Sequence, residues 1–254
     1  MRNNSLLIFL SALLIVLLPS CKKGEKTCQI GKHYFSDGNT TPNPDVFSYY
    51  EDGRLKKIGY ANGTKDTVRY NGDTIVVLSF DRYDSLTTVF TGLLNANGAV
   101  STATRNSYDN SGNVILSEGL SFEYNAEGRL TKQITTQNGA NAVLALNYDA
   151  GNSTTGSLHL GSLIIKKYTF WHSTTENKTG VDDLNGVFMP WAGKPSANLL
   201  DSVRIIVPAS ADTIRVLYHH TLDANGYVSK SSESTFAPTV NTKYRTYQYF
   251  NCQD

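Results

Sequence analysis

Apolar and polar residues alternate along most of this chain with a period of two. Leu144 and Leu146 fall on one face of such a segment while Val143 falls on the other, and the same alternation recurs at 120–124 and 214–218. Successive side chains of a β-strand point to opposite faces of a sheet, so this period predicts strands. Patterns typical of helices are nearly absent in the body of the chain.

A turn phrase recurs between these segments: an aromatic residue or Leu, a short polar stretch, Gly, one residue, then an aliphatic residue. It occurs at 50–55, 94–100, 108–114, 124–130 and 222–228. Asn and Asp tolerate left-handed backbone or bond to their own chain, and Gly supplies positive φ, so each phrase predicts a hairpin. The predicted fold is all-β, an antiparallel meander of hairpins forming an extended curled sheet, an open barrel or a sandwich. We expect one domain over residues 32–254.

One segment, from about residue 173 to about residue 200, is irregular and rich in apolar residues. A long loop of this kind is usually ordered by packing. We expect it to fold over an open end or face of the sheet as a core plug, with one helical turn near Ser196 to Leu200. A lid that contacts a ligand is the alternative.

Residues 1–20 have the anatomy of a signal peptide. Arg2 makes the start positive, and an apolar stretch runs from Leu6 to Leu18. A bilayer core requires about 20 apolar residues, so this stretch is too short to span it and cleavage is expected.

The tetrad Leu18-Pro19-Ser20-Cys21 resembles a bacterial lipobox, in which the cysteine becomes the lipid-bearing first residue. This resemblance implies that acyl chains such as palmitate anchor the mature chain at Cys21, with residues 21–31 as a tether. Lys22, where some lipoproteins carry an acidic residue, favours the outer membrane, on its periplasmic or cell-surface side. The alternative is an ordinary secretory peptide that happens to carry a cysteine.

Two further cysteines, Cys28 and Cys252, lie near the two ends of the predicted domain. Exported proteins meet an oxidising compartment, so a disulfide between them is one expectation. Two buried free thiols are the other.

The formal net charge is +1, and Lys and Arg are spread singly along the predicted strands. A nucleic-acid-binding protein would cluster them on one element, so no nucleic-acid partner is expected.

The lipobox, the Tyr-containing turns at Gly53 and Gly128, and the phrase from Gly193 to Leu199 together resemble a family of lipoproteins of unknown function from gut and environmental Bacteroidota. Its turns are similar to the YD repeats of large secreted toxin shells, although the spacing here is uneven. The resemblance implies an all-β cell-envelope lipoprotein without an assigned activity.

Asp followed by Ser or Thr and then an aliphatic residue resembles the O-glycosylation signal of Bacteroidota. The candidate acceptors are Thr67, Thr74, Ser85, Ser202 and Thr213. The same pattern is also typical of a strand that begins after a turn.

Catalytic and metal-binding patterns are not evident. The five histidines lack ligand spacing, and His219 and His220 are adjacent on a predicted strand. Neither a nucleophile elbow nor a phosphate-binding glycine loop occurs. We therefore expect no enzyme activity, no metal and no cofactor. A glycoside hydrolase uses a pair of carboxylates, for which Glu118, Glu123 and Glu127 are candidates.

The aromatic residues are the remaining candidates for binding. Trp171, Trp191, Tyr247 and Tyr249 would stack on sugar rings or on a partner protein if they were exposed together. Cross-strand pairs that stabilise the sheet are the alternative.

The function predicted from the sequence is a non-catalytic outer-membrane lipoprotein, acting as a structural or binding module in the envelope. An accessory glycan-binding lipoprotein is the first alternative, and an unrecognised glycoside hydrolase is the second. The expected partners are the membrane, through the lipid anchor only, and a glycan or an envelope protein.

Overall fold

The computed structural model describes residues 29–36, 43–178, 191–210, 212–236 and 241–250. These residues form sixteen β-strands. The strands are β1 Gln29–Ser36, β2 Asp45–Tyr49, β3 Leu55–Gly59, β4 Lys65–Asn71, β5 Thr74–Phe80, β6 Leu86–Leu94, β7 Val100–Tyr108, β8 Val114–Tyr124, β9 Leu130–Gln137, β10 Ala140–Asp149, β11 Asn152–Leu160, β12 Leu163–Glu176, β13 Asn198–Val207, β14 Asp212–Leu222, β15 Val228–Phe236 and β16 Asn241–Phe250.

Each strand pairs antiparallel with the next, and β1 pairs with β16 to close the sheet into a barrel. The closing register runs from Gln29 opposite Phe250 to Ser36 opposite Tyr244. The predicted all-β antiparallel meander is confirmed. Closure leaves no unpaired strand edge between the first and last strands.

The turn phrases form hairpins, as predicted. At the β6–β7 turn, the Gly98 N–H donates to the Asn95 carbonyl, and the Asn95 side chain accepts the backbone N–H of Asn97 and Ala99. Gly98 has φ 77°. An Asp or Asn that bonds its own turn, followed by a residue with positive φ, is the arrangement that joins two twisted strands over a short loop.

The two ends of the barrel differ in packing. The end formed by the β2–β3, β6–β7, β8–β9 and β14–β15 hairpins is called the closed end here. The aliphatic residues that finish three of its turn phrases, Leu55, Val100 and Val228, are all buried. At the opposite end, the equivalent Val114 is 53% exposed, whereas Val100 is 1% exposed. The same phrase is thus a core element at one end and a surface turn at the other.

The two faces of the barrel wall also differ. The main buried cluster is formed by inward-facing residues such as Val68, Ile75 and Leu120. Exposed charged side chains lie on the outer face, between these inward positions, on seven of the sixteen strands. They are Lys57, Arg69, Glu123, Lys167, Arg204, Arg215 and Lys230. The buried apolar cluster therefore faces inward, while the outer face mixes these charges with exposed apolar side chains such as Leu93, Trp171 and Tyr244.

The irregular segment is shorter than predicted. Strand β12 continues to Glu176 and β13 begins at Asn198, so both ends of the predicted range are strand, and residues 179–190 lie outside the described residues. The helical turn predicted near Ser196 to Leu200 is wrong, because Asn198–Leu200 already pair with β12 as a strand. No helix of the described residues has the length and hydrophobicity that crossing a bilayer requires.

Candidate ligand-binding cavity

The barrel encloses a cavity of about 630 Å³. Ligand-binding cavities in proteins typically have volumes of about 300–1,000 Å³. Its walls come from inward-facing positions of β4 to β12, and its floor at the closed end comes from residues 191–196. The lining residues are Asp66, Val77, Ser79, Thr88, Phe90, Arg105, Ser107, Leu116, Leu120, Phe122, Leu130, Gln133, Leu144, Leu146, Tyr148, Ser153, Phe170, Trp191, Ala192, Gly193, Lys194, Pro195 and Ser196.

The floor is held in place by hydrogen bonds to three hairpins. The Val100 N–H donates to the Trp191 carbonyl at 2.9 Å, the Lys194 N–H to the Gly128 carbonyl at 2.9 Å, and the Ala197 N–H to the Gly151 carbonyl at 2.9 Å. Residues 191–197 therefore cross the closed end, where the sequence predicted a plug over the sheet.

Gly193 allows this close approach. Its φ is 94°, and a Cβ at this position would lie 2.6 Å from Tyr124 Cε1 and 2.8 Å from the Gly128 oxygen. Any other L-residue would push the segment away from the β8–β9 hairpin. This requirement explains the glycine of the Gly193-to-Leu199 phrase.

The half of the cavity next to the floor is mostly apolar, although Lys194, Ser153 and Ser196 also line it. Leu120, Phe122 and Leu130 contribute one wall, and Leu146 with Phe170 contributes another. Trp191 packs against the main buried cluster while lining the cavity. This half can take up hydrocarbon but offers few hydrogen bonds to a polar ligand.

The half toward the opposite end is polar. We call Asp66, Ser79, Thr88, Arg105 and Ser107 the polar group of the cavity. Asp66 lies near the start of β4, Ser79 near the end of β5, Thr88 near the start of β6 and Ser107 near the end of β7. Each of these positions is toward the end of its strand that lies opposite the floor.

Arg105 is fixed by a buried acid. Its Nε donates to Glu118 Oε2 at 2.6 Å, and its Nη2 lies 2.5 Å from the same oxygen. The Glu118 side chain is 8% exposed and the Arg105 side chain 45% exposed. One edge of the guanidinium is thus bound while the remainder faces the cavity. The sequence signal for this pair is the alternation of β8, which places Glu118 on the same face as Leu116 and Leu120.

A second interior cluster lies outside the cavity lining. His33 Nδ1 is 3.1 Å from Asp45 Oδ2, and the His33 ring stacks on Tyr247 with 5.1 Å between centroids. Burial raises the pKa of Tyr247 to about 12. Tyr247 and Tyr249 stack on each other in the interior, so neither offers its ring to the outer surface.

The four aromatic residues proposed as a stacking platform do not come together, which corrects that expectation. Trp171 is on the outer face, 46% exposed, and Arg204 lies over its ring. Trp191 lines the cavity, whereas Tyr247 and Tyr249 pack in the interior. Successive side chains of a strand point to opposite faces, so Trp171, which follows the inward Phe170 on β12, points outward.

The carboxylates weighed for hydrolysis are also separated. Glu118 points inward to Arg105, Glu123 lies on the outer face and pairs with Lys132, and Glu127 is exposed in the β8–β9 turn. Two carboxylates on opposite faces of a strand cannot flank one glycosidic bond.

The two adjacent histidines point to opposite faces of β14. His219 is exposed, and His220 Nε2 lies 2.9 Å from the Leu200 oxygen in the interior. Among the described residues no three His, Cys, Asp or Glu side chains converge as a metal site.

The candidate glycosylation sites differ in accessibility. Ser85 and Thr213 are exposed, and Thr67 and Thr74 are half-buried. Ser202 is buried between two paired strands, so it is not accessible for modification in the folded barrel.

The predicted leader, the lipid anchor Cys21, and Cys28 and Cys252 lie outside the described residues. The described chain begins at Gln29, whose partner across the barrel closure is Phe250.

Two solved structures share this architecture. The chain is similar to a porin-like protein from Bacteroides uniformis, with a TM-score of 0.64, 17% identity, and coverage of 87% of this chain and 97% of that one. It is similar to a porin-like protein from Bacteroides vulgatus, with a TM-score of 0.62, 13% identity, and coverage of 88% and 99%. No family model and no curated protein matches this chain. The shared feature is the closed antiparallel β-barrel fold.

Proposed function

We propose that this protein is a non-catalytic lipoprotein of the bacterial outer membrane whose barrel binds a small molecule with a large apolar part. The observation that carries this proposal is the cavity of about 630 Å³, closed at one end by residues 191–196 and lined there by leucine and aromatic side chains. A barrel whose interior is not filled by its own side chains has room for one small ligand.

The outer wall supports a barrel that sits in water rather than in lipid. A membrane-spanning barrel presents an apolar band outward, and Arg or Lys at the bilayer midplane costs about 2–4 kcal/mol. Arg69, Lys167 and Arg204 lie within strands on the outer face and are exposed. On this proposal the porin-like fold is used as a container, and attachment to the membrane depends on the lipid at Cys21.

The experiment for the binding function uses the chain from residue 21 onward with Cys21→Ser, which contains all sixteen strands. The neutral dye N-phenyl-1-naphthylamine becomes fluorescent in apolar surroundings. We expect it to bind, and we expect Leu144→Trp, which fills the cavity, to weaken binding by about tenfold or more.

The matched control is Val143→Trp, because Val143 is the next residue on β10 and faces outward. It should bind the dye within about twofold of the parent chain, since the cavity is unchanged. Absence of dye binding, or equal weakening by both variants, would overturn the proposed binding function.

The anchor is tested separately. In the native host, a palmitate analogue should label the wild-type protein and not Cys21→Ser, and the variant should leave the membrane fraction. Labelling that persists in Cys21→Ser, or membrane retention without label, would overturn the anchor while leaving the cavity result unaffected.

A further inference from the structure

The cavity is amphipathic along the barrel axis. Its floor and adjoining walls present Phe122, Leu130 and Trp191, together with Lys194 in the floor, whereas the polar group lies toward the opposite end. A ligand that matches this lining has a hydrocarbon part against the floor and a polar head beside Arg105.

The charged groups near the head position carry no excess of positive charge. Arg105 carries one positive charge, and Glu118, which accepts its Nε–H and one Nη2 hydrogen, carries one negative charge. Asp66 adds a further negative charge and accepts the Tyr60 hydroxyl at 2.6 Å. Lys194, the remaining charged residue of the described lining, belongs to the floor at the closed end. The head position therefore has no excess of positive charge to attract an anion.

Hydrogen-bonding groups are nevertheless abundant there. Ser79, Thr88 and Ser107 each bring a hydroxyl that both donates and accepts, and Gln133 brings an amide. The Nη1 hydrogens of Arg105 point away from the Nε–Nη2 edge that Glu118 occupies. Such a set suits a head with hydroxyl and carbonyl groups, because each polar atom of the ligand finds a partner without adding charge.

We propose that the ligand is an acyl-chain lipid with an uncharged, hydroxyl-bearing head, such as a monoacylglycerol, and that Glu118 sets this preference by neutralising Arg105. The inference rests on the proposed binding function and adds the ligand class. A carboxylate head would place another negative charge beside Glu118 and Asp66, and like-charge juxtaposition disfavours binding.

The test is displacement of N-phenyl-1-naphthylamine by monooleoylglycerol and by oleate at pH 8, using the chain from residue 21 onward with Cys21→Ser. The two lipids share one acyl chain, so their difference reports the head. We expect monooleoylglycerol to bind about tenfold more tightly than oleate. Glu118→Gln keeps a side-chain oxygen for Arg105 but removes the charge, and it should raise oleate affinity about tenfold while changing that of monooleoylglycerol little.

Glu123→Gln is the matched control, since Glu123 lies on the same strand, faces outward and is paired with Lys132. It should leave both affinities unchanged. Oleate binding as tight as monooleoylglycerol in the parent chain would overturn the head-group inference, as would displacement by neither lipid. If Glu118→Gln does not fold, the head-group inference is tested by the affinities of monooleoylglycerol and oleate for the parent chain alone. Dye binding without lipid discrimination overturns only this inference, whereas absence of dye binding overturns the proposed function itself.

Discussion

Arg105 and Glu118 face each other across β7 and β8 inside the barrel, with 2.5 Å between Arg105 Nη2 and Glu118 Oε2. The acid is buried and the guanidinium is half-exposed to the cavity. The pair therefore links the stability of the barrel wall to the chemistry of the cavity.

Removing one partner of this pair should destabilise the barrel more than removing both charges. Arg105→Gln leaves the buried Glu118 charge without its partner, and we expect the free energy of unfolding to fall by about 2 kcal/mol, less than for a fully buried pair because Arg105 is half-exposed. The double variant Arg105→Gln/Glu118→Gln should recover part of this loss. Urea unfolding of the single and double variants measures the coupling. Additive losses would show that the two side chains do not interact.

The aliphatic residue that ends the turn phrase should stabilise the protein at the closed end and contribute little at the opposite end. Val100→Ala removes buried methyl groups and should lower the free energy of unfolding by about 2 kcal/mol. Val114→Ala, the same substitution at the same position of the phrase, should cost about 0.5 kcal/mol or less because the side chain is exposed. Equal losses in urea unfolding would contradict the assignment of the two ends.

Gly193 should be required for the floor and not merely for a turn. In Gly193→Ala, the alanine must adopt a positive φ, and its Cβ also clashes with Tyr124 and Gly128. In Gly98→Ala, the alanine must adopt a positive φ, but nothing lies within 4 Å of its Cβ. We expect Gly98→Ala to cost about 1 kcal/mol from backbone conformation alone. Gly193→Ala should cost more and should also weaken dye binding. Normal dye binding by Gly193→Ala would show that the floor does not bound the site.

Alkaline pH should destabilise the barrel through its buried tyrosines. Burial raises the pKa of Tyr124 to about 12, from its ordinary value of 10. The unfolded chain therefore loses this proton first, so the stabilisation is complete below pH 10 and is lost as the pH rises toward 12. The Tyr124 hydroxyl also donates to the Val100 carbonyl at 2.7 Å.

Tyr124→Phe tests this pH dependence. The variant should be about 1 kcal/mol less stable at pH 8, from the lost hydrogen bond. It should also lose less stability than wild type between pH 10 and pH 12. Some pH dependence of stability should remain in the variant, because burial likewise raises the pKa of Tyr49 and of Tyr247 to about 12. Parallel stability profiles for the two proteins would contradict the prediction.

A disulfide between Cys28 and Cys252 is expected from the closure of the barrel. Gln29 and Phe250 are paired; Cys28 precedes Gln29 by one residue, and Cys252 follows Phe250 by two. Loop entropy limits the stabilisation to about 5 kcal/mol. Cys28→Ser, Cys252→Ser and reduction of the wild type should lower the melting temperature equally. A cross-linked peptide in non-reducing mass spectrometry would identify the bond, and its absence would leave two thiols.

Local signals in the sequence account for the strands and their order. The alternation through Leu144 and Leu146 places those side chains on one face, and the Asn95-to-Gly98 type of turn joins each strand to its neighbour. Both signals depend on residues a few positions apart, so they can be recognised without knowing the rest of the structure. The inward direction of Glu118 was available from the same alternation, but its partner Arg105 required the register of β7 against β8.

Closure, the packing of the two ends and the cavity were decided only by the tertiary structure. Val100 and Val114 occupy the same position of the same phrase, yet the floor covers one and leaves the other exposed. Trp171 and Trp191 are equally aromatic in the sequence, but one lies on the outer wall and the other lines the cavity. Such differences depend on contacts between segments far apart in the chain. Hydrophobic burial is non-directional, so a local pattern can specify an apolar face without specifying what will cover it.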